Sequence, residues 1–594
     1  MRHAGLALWA SLALAACNTI LGTTDVTGPA DGDGGTDAPD SPPGPTALRS
    51  PALGAPTGSM HATSSLRPRF GWYATMGATR YELQLDDSCA LAAFRTCLFP
   101  SPELSMTDVV GVEFVPTSDL SVAMTPPVGR RYFWRVRGCN EIGCGDWSDV
   151  WYLNVGRLSD DVNGDGYGDI VVGIDSGATE PATVGRAHIV FGQGGTGSPT
   201  VIAVRDPRAE ADAHFAGAVA MVGDLNGDGF GDVAVGSWNS PHASHLGWAY
   251  IFTGRATWPA EVSAENGGYG LATTDGAESF GSRLSAAGDV NGDGYADLAV
   301  AALKPSGATT PGSVYVNYGR PTLPAAQLGS DRVVPDPAGA SADLFGASLA
   351  MGDVNADGFG DVLVGVPGRT GFAGGAAMYF GGRDTTAPPI NVTDENVLIA
   401  PPATPPATFG VAATACATAT EPVIAIGAPA ESAPGQAAGR VRLYRGRDPW
   451  PAEITAHDAA IDDPSGAFRA SFGFDLACDD VTADGRADLV AAAPTPDDDG
   501  VVLVFDNVEA LPTMPSTTLS AGTGIVGHQI KVTDFNGDGI PDVVASRLRG
   551  PATPAGAVLI WFGRQAWPAT ITDADLVVPN PSGVAGERFG ESLD

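Results

Sequence analysis

Six nine-residue segments of this chain set oxygen-bearing side chains at positions one, three, five and nine. They are Asp161, Asn163, Asp165 and Asp169; Asp224, Asn226, Asp228 and Asp232; Asp289, Asn291, Asp293 and Asp297; Asp353, Asn355, Asp357 and Asp361; Asp480, Thr482, Asp484 and Asp488; and Asp534, Asn536, Asp538 and Asp542. Three carboxylates and one amide or hydroxyl oxygen converge wherever the chain turns sharply, and position six is Gly every time. Position seven carries Tyr167, Phe230, Tyr295, Phe359, Arg486 or Ile540 and adds a backbone oxygen to the expected ligand set. A cluster of hard oxygens on a short loop is a site for Ca²⁺. About six such ions are expected, one per loop.

The loop of the EF-hand begins in the same way, but it ends in Glu at position twelve and enters a helix. Here the following residues are Ile170-Val-Val-Gly173, Val233-Ala-Val-Gly236, Leu298-Ala-Val-Ala301, Val362-Leu-Val-Gly365, Leu489-Val-Ala-Ala492 and Val543-Val-Ala-Ser546. Such short β-branched runs are strands, so each loop is a hairpin connection. The first positions lie 63, 65, 64, 127 and 54 residues apart, and 127 is about twice the basic period. A unit that has lost its carboxylates fits the gap, with Phe409-Gly410 before Ala417–Glu421 and the strand Val423-Ile-Ala-Ile-Gly427 after it. Seven units of about four short strands, joined by Gly/Pro-rich connections, predict an all-β, seven-bladed propeller.

Phe-Gly precedes the loop or its remnant at Phe280-Gly281, Phe345-Gly346, Phe409-Gly410 and Phe472-Gly473, and Gly427-Ala-Pro429 follows it. With those residues in that order, the region 157–594 resembles the FG-GAP repeats of integrin α-subunit propellers. Phe215-Ala-Gly217 and Val526-Gly527 depart from Phe-Gly, while Gly365-Val-Pro367 and Ala492-Ala-Pro494 only approximate Gly-Ala-Pro. The resemblance implies that calcium stiffens the blade hairpins and that partners dock on the opposite face. Binding is then expected rather than catalysis. The terminal Arg588-Phe-Gly-Glu-Ser-Leu-Asp594 matches the strand that the first unit lacks and is expected to pair beside Ile170–Gly173, closing the ring.

The N-terminus has Arg2 and His3, an apolar run from Ala4 to Ala16, and Leu14-Ala15-Ala16-Cys17. This resembles a bacterial lipoprotein signal over 1–16, with lipid on Cys17; Asn18 in the next position points to the outer membrane. Residues 17–55 hold few bulky apolar groups and read as a disordered tether. From 56 to 156, Phe70-Gly-Trp72, Tyr81-Glu-Leu-Gln-Leu85 and Tyr132-Phe-Trp-Arg-Val-Arg137 alternate as in a β-sandwich, and Val136–Ser148, with Trp151 beyond, resembles the last hairpin of a fibronectin type III domain. Its aromatics are expected in the core, and the domain as a spacer from the membrane. Six cysteines remain for disulfides in an oxidising compartment, with Cys89 and Cys97, Cys139 and Cys144 as local pairs. Cys416 and Cys478 occupy near-equivalent places in neighbouring units, as a bridge or as two thiols.

The formal net charge is −36; six bound Ca²⁺ would leave it near −24. That argues against nucleic acid as a partner. No catalytic residue is assigned: Gly-x-Ser-x-Gly and phosphate-cradling loops are lacking, and the only adjacent histidines, His242 and His245, want a third ligand. A paired-carboxylate or lectin-like carbohydrate site stays open as the alternative. Trp258-Pro-Ala260, Trp450-Pro-Ala452 and Trp567-Pro-Ala569 invite sugar stacking, yet their fixed place in the unit predicts a plug for a blade edge. A protein or glycan ligand opposite the calcium loops would meet Ser237–His242, Ala302–Pro305, Gly371–Gly374 and Arg547–Arg549.

Overall fold

The computed structural model describes residues 41–594 except 52–54, 176–183, 211, 241–245, 264–267, 274–277, 287, 304–311, 325, 338–342, 370–372, 383–395, 401–407, 419–420, 434–435, 438, 448, 465–470, 496–499, 523, 549–554 and 585. Cys17, His242 and His245 lie outside the described residues, as do parts of all four connections named above as a ligand face.

Alternating apolar residues build two sheets in the N-terminal part. Leu48–Ser50, Phe70–Trp72 and Glu113–Phe114 form one, and Leu104–Val109, Arg80–Asp86, Arg130–Cys139 and Trp151–Val155 the other. Phe70, Trp72, Tyr132 and Trp134 are fully buried between them. The aromatics are therefore core. The sandwich starts earlier than residue 56, inside the stretch expected as tether. Leu48 pairs with Trp72, Thr46 and Leu48 are buried, and the Asn140 side chain donates to the Ser41 carbonyl. Two buried side groups and an open sheet edge order a segment too polar to fold alone.

The remaining described chain is a series of antiparallel four-stranded units. The second unit shows the pattern: Phe215–Gly223, Asp232–Ser237, Leu246–Phe252 and Gly268–Ala272, each paired with the next. Among the described residues this pattern repeats along the chain. The units' first strands touch in sequence: Phe215–Gly223, Glu278–Ala286, Ser348–Gly352, Ala413–Cys416, Leu476–Asp479, Val526–Thr533 and Ser592–Leu593, which meets Phe215–Gly223 again. The result is a ring around a channel of about 600 Å³.

The C-terminal segment closes the ring. Ser592 pairs with Gly173 and Leu593 with Val172, so the first unit takes its innermost strand from the chain's last residues. Phe589 is fully buried, the Ser592 hydroxyl donates to the Ala216 carbonyl, and the Asp594 carboxylate accepts Met221 N–H and the Lys531 ammonium.

Between units, a Gly at or just before the start of each third strand lets two backbones approach. A Cβ on Gly185, Gly247, Gly312, Gly374, Gly439, Gly500 or Gly556 would lie 1.9–2.5 Å from the carbonyl oxygen of Phe215, Phe280, Phe345, Phe409, Phe472, Val526 or Phe589. The Phe of Phe-Gly thus marks a seam between blades. In the second unit the Gly's role falls to Ala216, at φ 64, against φ 87 for Gly281.

The Trp-Pro-Ala segments lead into short fifth strands. Glu261–Val262, Glu453–Ile454 and Thr570–Ile571 pair in parallel with the outermost strand of the preceding unit. They cover blade edges that would otherwise present unpaired backbone groups. Trp258, Trp450 and Trp567 each donate their indole N–H to the position-two carbonyl of the preceding loop, on Val162, Val354 and Val481. These side chains tie blade to blade.

All three cysteine pairs are bridged: Cys89–Cys97, Cys139–Cys144 and Cys416–Cys478. The last joins the innermost strands of the fifth and sixth units. Among the described residues no helix is long and apolar enough to cross a membrane.

Candidate metal centres

Each acidic loop leads into a unit's second strand, from the unit's own first strand in five cases and from the sandwich strand Trp151–Val155 in the first unit, and its side chains fold back on its own backbone. Asp161 shows the pattern: Oδ1 accepts N–H from Gly164 at 2.6 Å and Asp165 at 3.0 Å, and Oδ2 accepts Gly166 N–H at 2.7 Å. The Asn163 Oδ1 accepts Asp165 N–H, its amide donates to Asp165 Oδ2, and Asp165 Oδ1 accepts Tyr167 N–H. The same exchange recurs around Asn226, Asn291 and Asn355.

Position nine is a clamp. Asp169 accepts Val162 N–H on one oxygen at 2.9 Å and Gly192 N–H, just past the third strand, on the other at 2.8 Å. Asp232, Asp297 and Asp361 repeat both bonds, while Asp488 and Asp542 keep the bond past the third strand and take the loop N–H from position three, Thr482 or Asn536. In the fifth unit, which lacks the loop, the Pro422 carbonyl takes the corresponding N–H from Gly446.

These carboxylates are charged groups placed where charge is costly. Burial, followed by mutual repulsion, raises Asp169, Asp232, Asp297 and Asp361 well above the ordinary carboxylate range. Burial likewise pushes Asp161, Asp289, Asp353, Asp488 and Asp534 up to about 7 and Asp542 to about 8. The buried Asp534 Oδ1 accepts no hydrogen bond. A hard divalent cation is the group that such oxygens fit, because each carboxylate has about four acceptor sites and the backbone uses only two or three. The three carboxylates of one loop are nevertheless not drawn within 4.8 Å of one another. Among the described residues that spacing holds for Asp86, Asp87 and Glu103, and for Glu82 with the bridged Cys139 and Cys144.

The loops also form a belt, which the sequence did not disclose. The position-eight N–H of one loop donates to the position-one carbonyl of the loop before: Gly168 to Asp534, Gly231 to Asp161, Ala296 to Asp224 and Gly360 to Asp289. The position-seven aromatic of the later loop also covers the position-four Gly of the earlier one: Tyr167 on Gly537, Phe230 on Gly164, Tyr295 on Gly227 and Phe359 on Gly292. Five loops are linked this way, in the order seventh, first, second, third and fourth unit. The sixth stands apart, since the seventh unit has Ile540 and Pro541 at positions seven and eight, and Pro has no N–H to donate.

The sandwich is seated on this belt. Met60 and His61 pack on Gly166, Pro127 and Arg157 on Gly229, Leu91 and Phe94 on Gly294, and Trp151 on Gly358, the position-six glycines of four successive loops. Arg95 donates to the Gly292 carbonyl and Arg131 to that of Gly294. The Tyr152 hydroxyl donates to Asp289 Oδ2 at 2.9 Å, and the Arg131 guanidinium lies 3.8 Å from Asp224 Oδ2. His61 stacks on Tyr167 at 4.4 Å. Nothing lies within 4 Å of a Cβ placed on Gly485, in the sixth unit's loop.

The far mouth of the channel is chemically different. Second strands run away from the loops, so Asp175 and Trp238, just beyond two of them, stand at that mouth with Arg283, His528, Gln529 and Glu591 on the channel wall. Trp238 stacks on His214 at 3.9 Å, and His214 Nδ1 lies 2.9 Å from Asp175.

With this geometry, comparison with known proteins is informative. The FG-GAP repeat model matches residues 280–317 and 345–377, and the FG-GAP-like repeat model matches 480–545. The chain carries FG-GAP repeats at these residues and is similar over part of its length to integrin α-subunits. Integrin alpha-PS5 of Drosophila melanogaster is 36% identical over 152 residues, which is 24% of this chain and 14% of the relative. Integrin alpha-4 of Xenopus laevis is 31% identical over 161 residues, covering 26% and 14%. Phosphatidylinositol-glycan-specific phospholipase D of Bos taurus is 32% identical over 178 residues, covering 28% and 20%. Each match spans a small part of the relative's length. The solved Dos1 propeller aligns over 68% of this chain and 76% of its own at 12% identity and TM-score 0.31, and adds nothing to the assignment.

Proposed function

We propose that this protein is a lipid-anchored, extracytoplasmic, seven-bladed calcium propeller with a fibronectin type III-like domain, and that it binds a protein or glycan without catalysis. Calcium would be held by the oxygens of positions one, three, five, seven and nine in the six loops, and Cys17 would carry the lipid. The likeness to integrin α-subunits supports adhesion or ligand binding as the broad role.

One observation carries the choice of face. The sandwich occupies the calcium-loop side through Met60, Leu91, Pro127 and Trp151, which leaves the opposite channel mouth as the concave polar surface with an aromatic, Trp238, at its rim. Concave surfaces with a few convergent polar groups are where ligands bind. A glycan reading draws on that same rim, where Trp238 offers a stacking face beside Asp175 and His214.

The test is a glycan array run beside a surface-protein pull-down, both with the calcium-loaded chain and its Trp238→Ala variant. Binding that the substitution weakens at least tenfold supports the far mouth. Binding unchanged by Trp238→Ala and blocked by substitutions on the sandwich would place the ligand elsewhere.

A further inference from the structure

The two independent features of the loop face, the belt and the seated sandwich, coincide on the same loops. We propose that the loops of the seventh, first, second, third and fourth units fill with calcium cooperatively and lock the sandwich onto the propeller, whereas the loop of the sixth unit binds its ion independently. This rests on the calcium reading above.

The argument starts from who touches whom. A position-one aspartate in the belt uses its side chain as a loop anchor and its carbonyl as acceptor for the next loop's N–H; Asp161, Asp224, Asp289 and Asp534 all do both. Whatever fixes one such aspartate also fixes the backbone that the next loop leans on. Tyr167, Phe230, Tyr295 and Phe359 reinforce the link, because each packs on the preceding loop's position-four backbone. The amino-acid pattern follows the contacts. Position four is Gly where an aromatic covers it, and Ala at Ala356 and Ala483, where the next unit has no loop or offers Ile540.

The sandwich then reads the same belt. Its Tyr152 hydroxyl holds Asp289 Oδ2, one of the oxygens assigned to the ion, and such outer partners orient ligands and tune affinity. Arg131 bridges two loops, donating to Gly294 while facing Asp224. Ions that neutralise Asp224, Asp289 and their neighbours therefore act on the groups that seat the sandwich. The sixth loop has neither link: Gly485 is open, Thr482 replaces Asn, and the belt passes it by.

Two readouts on the full chain test this. Calorimetric titration of calcium into chelator-stripped protein should resolve a cooperative class of five ions and a separate class of one. Small-angle scattering should show a larger maximum dimension when calcium is removed, as the sandwich loosens. Tyr152→Phe should weaken the cooperative class about tenfold or more and leave the single site unchanged. Asp484→Ala should remove the single ion and leave the scattering response intact. No calcium uptake at all would overturn the calcium reading itself. Six ions binding as equivalent independent sites, or a scattering profile indifferent to calcium, would overturn the coupling while leaving that reading standing.

Discussion

A Cβ placed on Gly164 would lie 2.6 Å from Cε1 of Phe230, the aromatic of the following acidic loop. Gly164 also sits at φ 72, so both its conformation and its surroundings exclude a side chain. Gly164→Ala should cost at least about 2 kcal/mol, since left-handed backbone alone costs a non-Gly residue about 1–2 kcal/mol before the ring is displaced. Ala356→Gly, at φ 60 in a loop that no aromatic of a following loop covers, should change stability by less than about 1 kcal/mol. Denaturant melts of the two variants in calcium check the pair; equal effects would dismiss the aromatic cover as incidental.

Much of this fold was legible because each unit announces itself with its own charges. Asp161 and its five counterparts fall at the head of hairpins as their spacing requires, and Arg588–Asp594 was recognisable as a displaced strand by its likeness to Phe345–Leu349. The seat of the sandwich was not legible. Gly166, Gly229, Gly294 and Gly358 satisfy a tight turn, so nothing in their identity discloses that Met60, Pro127, Leu91 and Trp151 also press on them. Contacts between distant segments leave no periodic trace. The strand Leu48–Ser50 escaped for the same reason, being ordered by its partner Phe70–Trp72 rather than by its own composition.

Removing Glu587–Asp594 should destabilise the propeller by several kcal/mol. Buried Phe589 and Leu593 would leave with the segment, and losing one buried aromatic alone costs about 3–5 kcal/mol. The deletion also exposes the edge of Ile170–Ile174, which invites association. Thermal melts and light scattering check both effects. A variant that melts with the full chain and stays monomeric would show that the segment is dispensable.

The Cys416–Cys478 bridge spans the units where the loop belt is broken, since the fifth unit has no acidic loop. Cys416→Ser with Cys478→Ser should lower stability by about 2–4 kcal/mol under oxidising conditions, the usual range for a native bridge. Mass spectrometry of non-reduced peptides establishes the pairing, and denaturation of both proteins with and without reductant gives the size. If reductant lowers the double variant as much as the native chain, the bridge contributes nothing of its own.

Acid should weaken the response to calcium, and the sign follows from the buried loop carboxylates. Asp161, Asp289, Asp353, Asp488 and Asp534 are raised to about 7 and Asp542 to about 8, against about 4 for a carboxylate in an unfolded chain. Between pH 4 and 8 the ion-free folded state therefore holds more protons than the unfolded state. Its stability falls as pH rises through that window. Calcium needs the deprotonated carboxylates and binds the folded loops, so its stabilisation grows as the protons leave. The gap in Tm between calcium-loaded and chelated protein should be narrow near pH 5 and widest near pH 8. Scanning calorimetry at pH 5, 6, 7 and 8, with calcium or with a chelator whose own pH dependence is matched by excess, measures it. A gap of constant width would mean that the loop carboxylates are ionised throughout, and that burial does not set their protonation.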